Sequence, residues 1–288
     1  MAEEIIGGYR LQNLIMTGQT SQVWEVVETS SHRHFAMKIL LPEHAGHGEA
    51  KSAMIHEAKV GQKLAHQNII RIVNVSTESK TPYFVMEFFP AGSLKMRLMR
   101  QQLDFIREHA DPIFKQAATA LAFMNAEGWV HRDVKPGNML VNSAGELKLI
   151  DFALARRIEQ PSFFSKLFKR KGRVAGTRSY MSPEQIRGEP LDGRADVYSF
   201  GATCFELVTG RPPFSGASSQ DLLAKHITEK PASPRVYNPE VTEPFSDLVL
   251  HMLAKKRTDR PNDFHQVLMK LKTIKVFKST DPKPAGKT

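Results

Sequence analysis

Apolar and polar residues alternate in three early stretches, YRLQNLIM, SQVWEVVE and HRHFAMKIL, and this period of two predicts three short strands separated by polar turns. The spacing then changes. In EAKSAMIHEAKVGQKLAH the Ala, Met, Ile, Val and Leu positions recur at helical intervals, and in IIRIVNVS and PYFVMEFF the strand pattern returns. Beyond PAGSL long helical patterns dominate: FKQAATALAFMNAEG, RADVYSFGATCFELVTG, PFSDLVLHMLAK and DFHQVLMKLKTI. The expectation is an α+β chain of two lobes, a small β-rich one with one main helix and a larger, mainly α-helical one, joined near Glu87–Gly92. Residues 276–288 have no apolar periodicity and are expected to form a disordered basic tail.

Composition sharpens this only in places. A chain of 288 residues can bury a large core, as one domain or as two lobes sharing a cleft. No apolar run approaches the roughly 18 residues of a membrane span, and MAEE does not read as a secretory leader, so a cytoplasmic protein without membrane contact is expected. The single cysteine, Cys204, lies in SFGATCFEL and reads as a buried reduced thiol. The formal charge of +10 invites a nucleic-acid reading. The basic residues are scattered, however, and net charge speaks to partners and solubility rather than to fold. One dense run, Lys166–Arg173, is either a solvated loop or a patch for an acidic partner.

The densest polar cluster is VHRDVKPGNML, Val130–Leu140. Asp133, Lys135 and Asn138 bring a carboxylate, an ammonium and a carboxamide to one loop. The first can accept the proton of an attacking hydroxyl, the second neutralise a phosphate and the third coordinate a metal. Pro136 and Gly137 alone would suit an ordinary polar turn. Downstream, LIDFALA places Asp151 after an apolar run, where it either ligates a metal or begins a turn.

Taken in order, these motifs resemble the eukaryotic-type (Hanks-type) serine/threonine protein kinases, from about Tyr9 to Leu271, in the style of a soluble bacterial kinase domain. The resemblance implies a kinase domain over 9–275, with an N-lobe of about 9–87 and a C-lobe of about 92–275. It implies ATP and Mg²⁺ as cofactors and Ser/Thr hydroxyls of protein substrates as acceptors. HRDVKPGN is similar to the catalytic loop, with Asp133 as base, and IDFA to the metal-binding motif, with Asp151 and Asn138 as Mg²⁺ ligands. FAMK supplies Lys38, which Glu57 on the following helix would aim at the phosphates. The stretch Ile15, Met16, Thr17, Gly18, Gln19, Thr20, Ser21, Gln22 and Val23 would cover the phosphates. Adenine would lie between Val23 and Ala36 above and Leu140 below, behind it Met86, with backbone hydrogen bonds from Glu87 to Phe89. Thr177 would brace the Lys135–Asp133 pair beside the substrate. Glu184 and Arg260 would form a buried ion pair, Asp196 would hold the catalytic-loop backbone, and His131 would pack on Phe152. Arg132 is the residue that pairs with a phosphorylated loop in many relatives. The remaining histidines read as solvated.

Three departures from the family pattern stand out. Aligning Val23 with the loop valine puts Met16, Gly18 and Ser21 at the three glycine positions. Ala153 replaces the usual glycine after Asp151-Phe152, at a cost of roughly 1–2 kcal/mol if a left-handed backbone is required there. No Ser, Thr or Tyr lies between Lys166 and Gly176, so activation without phosphorylation at that place is expected. The alternative function is a pseudokinase, a scaffold or nucleotide-binding module of the same fold.

Overall fold

A computed structural model describes residues 4–45, 48–77, 81–158 and 177–278. In chain order the first part comprises β1 (Ile5–Ile6), β2 (Tyr9–Thr17), β3 (Ser21–Glu28), β4 (His34–Leu40), α1 (Pro42–Ala45), α2 (Gly48–Lys63), β5 (Ile72–Ser76) and β6 (Tyr83–Glu87). Then follow β7 (Gly92–Ser93), α3 (Leu94–Met99), α4 (Leu103–Ala126), β8 (Trp129–Val130), β9 (Met139–Val141), β10 (Leu147–Leu149) and β11 (Arg156–Arg157). The remainder is helical: α5 (Pro183–Arg187), α6 (Gly193–Thr209), α7 (Ser219–Thr228), α8 (Pro234–Tyr237), α9 (Glu243–Met252) and α10 (Phe264–Thr273).

The first six strands form one antiparallel sheet in the order β1-β2-β3-β4-β6-β5. Successive side chains of a strand point to opposite faces, so β4 divides cleanly. Phe35, Met37 and Ile39 join Tyr9, Val26, Tyr83 and Val85 on one face. Leu40 joins Met54 and Ala58 of α2, with Ile72 and Phe84, on the other. Ala36 and Lys38 share that second face, and the register sets Val23 opposite Lys38 and Lys38 opposite Phe84. The strand pattern therefore delivers Lys38 beneath the sheet, next to α2.

The helical part is built on α6, whose residues from Ala195 to Val208 are all buried, Asp196, Ser199, Thr203 and Glu206 among the apolar ones. Asp192 caps its start by accepting from the Arg194 N–H, and Gly210, at φ 75°, ends it in the left-handed conformation that glycine adopts without steric cost. Around it Phe114 stacks on Phe245 at 5.3 Å between centroids, and Phe200 meets Phe114 and Phe264 edge-on. Cys204 is fully buried, which pushes its thiol pKa up.

Sequence periodicity misplaces some boundaries. It begins α4 near Phe114, yet the helix starts at Leu103 and runs through Pro112. The N–H that Pro112 lacks would have met the Glu108 carbonyl, and Glu108 is on an exposed face, where water can serve instead. Packing against the helical part continues past 275. Val276 is buried, its C=O accepts from the Thr242 N–H at 3.0 Å and its N–H donates to Asp111 Oδ1 at 3.0 Å. Residues 279–288 lie outside the described residues.

His226 departs from the expectation of solvated histidines. It is fully buried on α7, its Nδ1 is 2.9 Å from the Tyr198 hydroxyl, and Phe214 meets its ring at 4.9 Å. Burial, helped by the neighbouring Lys255 charge, presses its pKa from 6.5 to about 4. A depressed histidine favours folding above its unfolded pKa, and that contribution is lost as pH falls. Stability is therefore expected to drop by roughly 2 kcal/mol from this group between about pH 7 and pH 5. Urea unfolding of His226→Gln against the parent across that window checks it, since the variant should show the shallower pH dependence.

Candidate functional site

The loop from His131 to Asn138 connects β8 to β9 and is fastened from below by one buried carboxylate. Asp196, in the first turn of α6, accepts from the His131 N–H at 2.7 Å and the Arg132 N–H at 2.9 Å, and from Asn125 Nδ2 at 3.3 Å. Burial pushes the Asp196 pKa up despite these donors. His131 is buried, meets Phe152 edge-on at 5.7 Å, and accepts from the Asp133 N–H through Nδ1 while Nε2 lies 3.3 Å from the Ile150 carbonyl. One tautomer satisfies both contacts, with the proton on Nε2. Arg132 and Asp151 both adopt positive φ, 70° and 67°.

On this base three groups meet at Asp133. Lys135 Nζ donates to Oδ2 at 2.6 Å and to Thr177 Oγ1 at 2.7 Å. The Thr177 N–H and hydroxyl each donate to Oδ1 at 3.1 Å. Asn138 Nδ2 donates to the Asp133 carbonyl at 2.9 Å and to Oδ2 at 3.0 Å. Burial works to raise the Asp133 pKa, but the Lys135 charge and these hydrogen bonds outweigh it, so the carboxyl titrates below its ordinary value. Asp133 is thus a carboxylate at neutral pH.

Lys38 Nζ lies 2.6 Å from Glu57 Oε2, joining β4 to α2. Burial pushes Glu57 up to about 7, with Lys38 opposing and Asp151 adding to the rise. Burial alone would lower Lys38, yet Glu57 and Asp151 reverse the sign and raise it. Two carboxylates thus face one ammonium. Asp151 Oδ1 accepts from the Ala153 N–H at 3.3 Å, a turn that Ala153 makes without positive φ. The strain expected from a methyl at 153 does not arise, because the left-handed residue is Asp151 itself. Gly61 on α2 completes the seat: a Cβ there would stand 2.4 Å from Ile72 Cδ1 and 3.3 Å from Phe152 Cδ2.

The donor set suits a divalent cation. Asn138 commits its amide hydrogens to Asp133, so its Oδ1 is the ligating atom left, and Asp151 brings carboxylate oxygens close enough to Glu57 to raise its pKa. Hard oxygen donors of this kind match Mg²⁺.

Above the site, β2 and β3 form a hairpin closed by the Gly18 N–H donating to the Ser21 carbonyl at 2.8 Å. Ile15, Met16, Thr17, Gln19 and Thr20 are exposed, Ser21 and Val23 are buried, and Gln22 pairs with Thr17. A register shift between Leu14 and Met16 sets Met16 opposite Val23, so the thioether projects from the same face as Val23. Ala36 pairs with Met86 across β4 and β6, and Leu140 lies on β9 against Ser93 and Lys148. Glu87 has its N–H on the Arg71 carbonyl and its carboxylate on Lys148 Nζ at 2.8 Å; Phe89 accepts from the Ala91 N–H. If this hairpin covers ATP as the kinase resemblance implies, Met16→Gly is expected to tighten ATP binding roughly five-fold, about 1 kcal/mol. Titration calorimetry checks it, and no gain would count against Met16 as the obstacle.

The segment after Thr177 is anchored by Glu184, whose two oxygens take Arg260 Nη1 and Nη2 at 2.7 and 2.9 Å. Gln185 was not singled out from the sequence, although SPEQ carries the Ser-x-x-Gln signature of a capping box. Ser182 and Gln185 form that box, and Gln185 Nε2 donates to the Arg132 carbonyl at 2.9 Å, tying the segment to the His131–Asn138 loop. The basic run Lys166–Arg173 and the stretch up to Gly176 lie outside the described residues.

A family model described as protein kinase domain matches residues 9–271. Serine/threonine-protein kinase PknA of Mycobacterium tuberculosis is 34% identical over 280 residues, covering 89% of this chain and 64% of the relative. A probable serine/threonine-protein kinase of Clostridium acetobutylicum is 29% identical over 267 residues, covering 93% of this chain and 40% of the relative. The probable serine/threonine-protein kinase PknB of Bifidobacterium longum is 30% identical over 263 residues, covering 88% and 38%. The chain therefore spans between 38% and 64% of the length of these relatives.

Proposed function

The chain belongs to the protein kinase family, and from that premise we propose that it transfers the γ-phosphate of ATP to Ser or Thr hydroxyls of protein substrates. The observation that carries this reading is the convergence of Lys135 and Thr177 on the ionised Asp133. Asp133 accepts the proton of the acceptor hydroxyl as its oxygen attacks phosphorus. Lys135, already shared between Asp133 and Thr177, is placed to neutralise the phosphoryl oxygens as the bond to the β-phosphate lengthens. Lys38, aimed by Glu57, binds the α- and β-phosphates, and Val23, Ala36, Met86 and Leu140 enclose the adenine. Asp151 and Asn138 would hold Mg²⁺, which supplies charge neutralisation on the phosphates when bound. The catalytic unit extends from about residue 9 to 278, its two lobes meeting between Glu87 and Gly92.

The pseudokinase alternative drew on Met16 and Ala153. Ala153 has no positive φ and donates its N–H to Asp151, and the full set Lys38, Glu57, Asp133, Asn138 and Asp151 is present. Incubation with labelled ATP, Mg²⁺ and a basic protein acceptor tests the reading. Label recovered on Ser or Thr, and lost with chelator, supports it. No transfer under these conditions, with ATP bound, would return the chain to the scaffold class.

A further inference from the structure

One buried carboxylate in the helical part has no role in the chemistry above. Glu206, on α6, has 4% of its side chain exposed. Its two oxygens serve two different elements. Lys95 Nζ, from α3, lies 2.8 Å from Oε1, and the Tyr180 hydroxyl donates to Oε2. Burial and the Glu206 charge both push the Tyr180 phenol pKa up, so it remains a donor. Tyr180 is also held through its backbone: its N–H donates to the Thr177 carbonyl at 3.0 Å and its carbonyl accepts from Ser199 Oγ at 2.7 Å. Thr177, in turn, binds Asp133.

The chain of contacts is therefore Lys95, Glu206, Tyr180, Thr177, Asp133. A buried carboxylate needs a compensating charge. Among the described residues the ammonium ion-paired with Glu206 is Lys95, whose side chain is 46% exposed and reaches in from the helix just after the lobe junction. Arg260 is committed to Glu184 and lies over the Tyr198 ring.

The geometry points to Lys95 as a positioning residue for acceptor use: by balancing Glu206 it keeps Tyr180 seated, and with it the segment that offers Thr177 to Asp133. Its ammonium acts through Glu206. The inference rests on the proposed kinase reading for its kinetic form, but its structural form can be read without catalysis.

The test compares the parent with Lys95→Met and Lys95→Arg. In steady-state transfer to a protein acceptor, Lys95→Met is expected to lose roughly 10- to 100-fold in kcat/KM for the acceptor. The KM for ATP should stay within about two-fold and Lys95→Arg should recover most of the loss. In parallel, amide hydrogen exchange over residues 177–182 should quicken about ten-fold in Lys95→Met and stay parent-like in Lys95→Arg. Unchanged exchange there overturns the inference whether or not the parent transfers phosphate. Equal losses toward ATP and acceptor, with a lowered unfolding temperature, would also overturn it by reducing Lys95 to a general structural role. A parent that binds ATP but transfers nothing, with exchange altered as expected, would leave the positioning contact standing and sink the kinase reading instead.

Discussion

Replacing Asp133 with asparagine is expected to cut phosphate transfer by about three to four orders of magnitude while changing ATP affinity less than about two-fold. The substitution preserves shape. An amide oxygen at the Oδ1 position still accepts from the Thr177 N–H and hydroxyl, and the loop stays anchored through Asp196. What disappears is the negative charge that Lys135 faces at 2.6 Å and, on the proposed reading, the group that takes the acceptor proton. Because the Asp133 pKa is held below the ordinary carboxylate value, the parent keeps a competent base throughout the neutral range. Initial rates with a protein acceptor, beside calorimetric ATP affinity, decide the matter. More than about a tenth of parental activity would mean that proton removal is not Asp133's task.

The second large effect concerns folding. Arg260→Ala is expected to destabilise the domain by roughly 3–5 kcal/mol and to lower its midpoint by about 10 °C. The guanidinium is wholly buried and satisfied on every side. It makes the two-pronged contact with Glu184, donates to the Ala254, Arg194 and Lys255 carbonyls at 2.7, 2.9 and 3.1 Å, and lies 4.8 Å from the Tyr198 ring centroid. Its removal strands the buried Glu184 carboxylate and takes a donor from each of three carbonyls. Arg260→Lys should recover little, since an ammonium cannot reproduce the planar fork. Thermal and urea unfolding of both variants measure this, and a loss under about 1 kcal/mol would show that the interior repacks around the gap.

Much of this was legible in the chain itself, for identifiable reasons. Strand alternation around FAMK places Lys38 on the face shared with Ala36, and one-loop proximity ties Asp133 to Lys135 and Asn138. Such relations are local, and local spacing is what periodicity and motifs encode. The Tyr180–Glu206 contact spans 26 residues and Lys95–Glu206 spans 111, with no repeating pattern to mark them. Burial of His226 escaped for a similar reason, because α7 is short and its apolar stripe is broken by polar residues. Pro112 hid the first turns of α4, and the pinning of Val276 depends on Thr242 and Asp111, both remote in the chain. Ala153 is a subtler case. The family comparison located the departure correctly, but only backbone angles could tell which residue of the turn is left-handed.

Those angles have an implication for how the chain divides its priorities. Arg132 and Asp151 each occupy a region that side chains with a Cβ enter at roughly 1–2 kcal/mol, and glycine would sit at either place without effort. A polypeptide refined only for durability would be simpler there and harder to melt. This one surrenders a measure of ruggedness at two points on the adjoining loops that carry Asp133 and Asp151, so durability and chemistry pull in opposite directions at those residues.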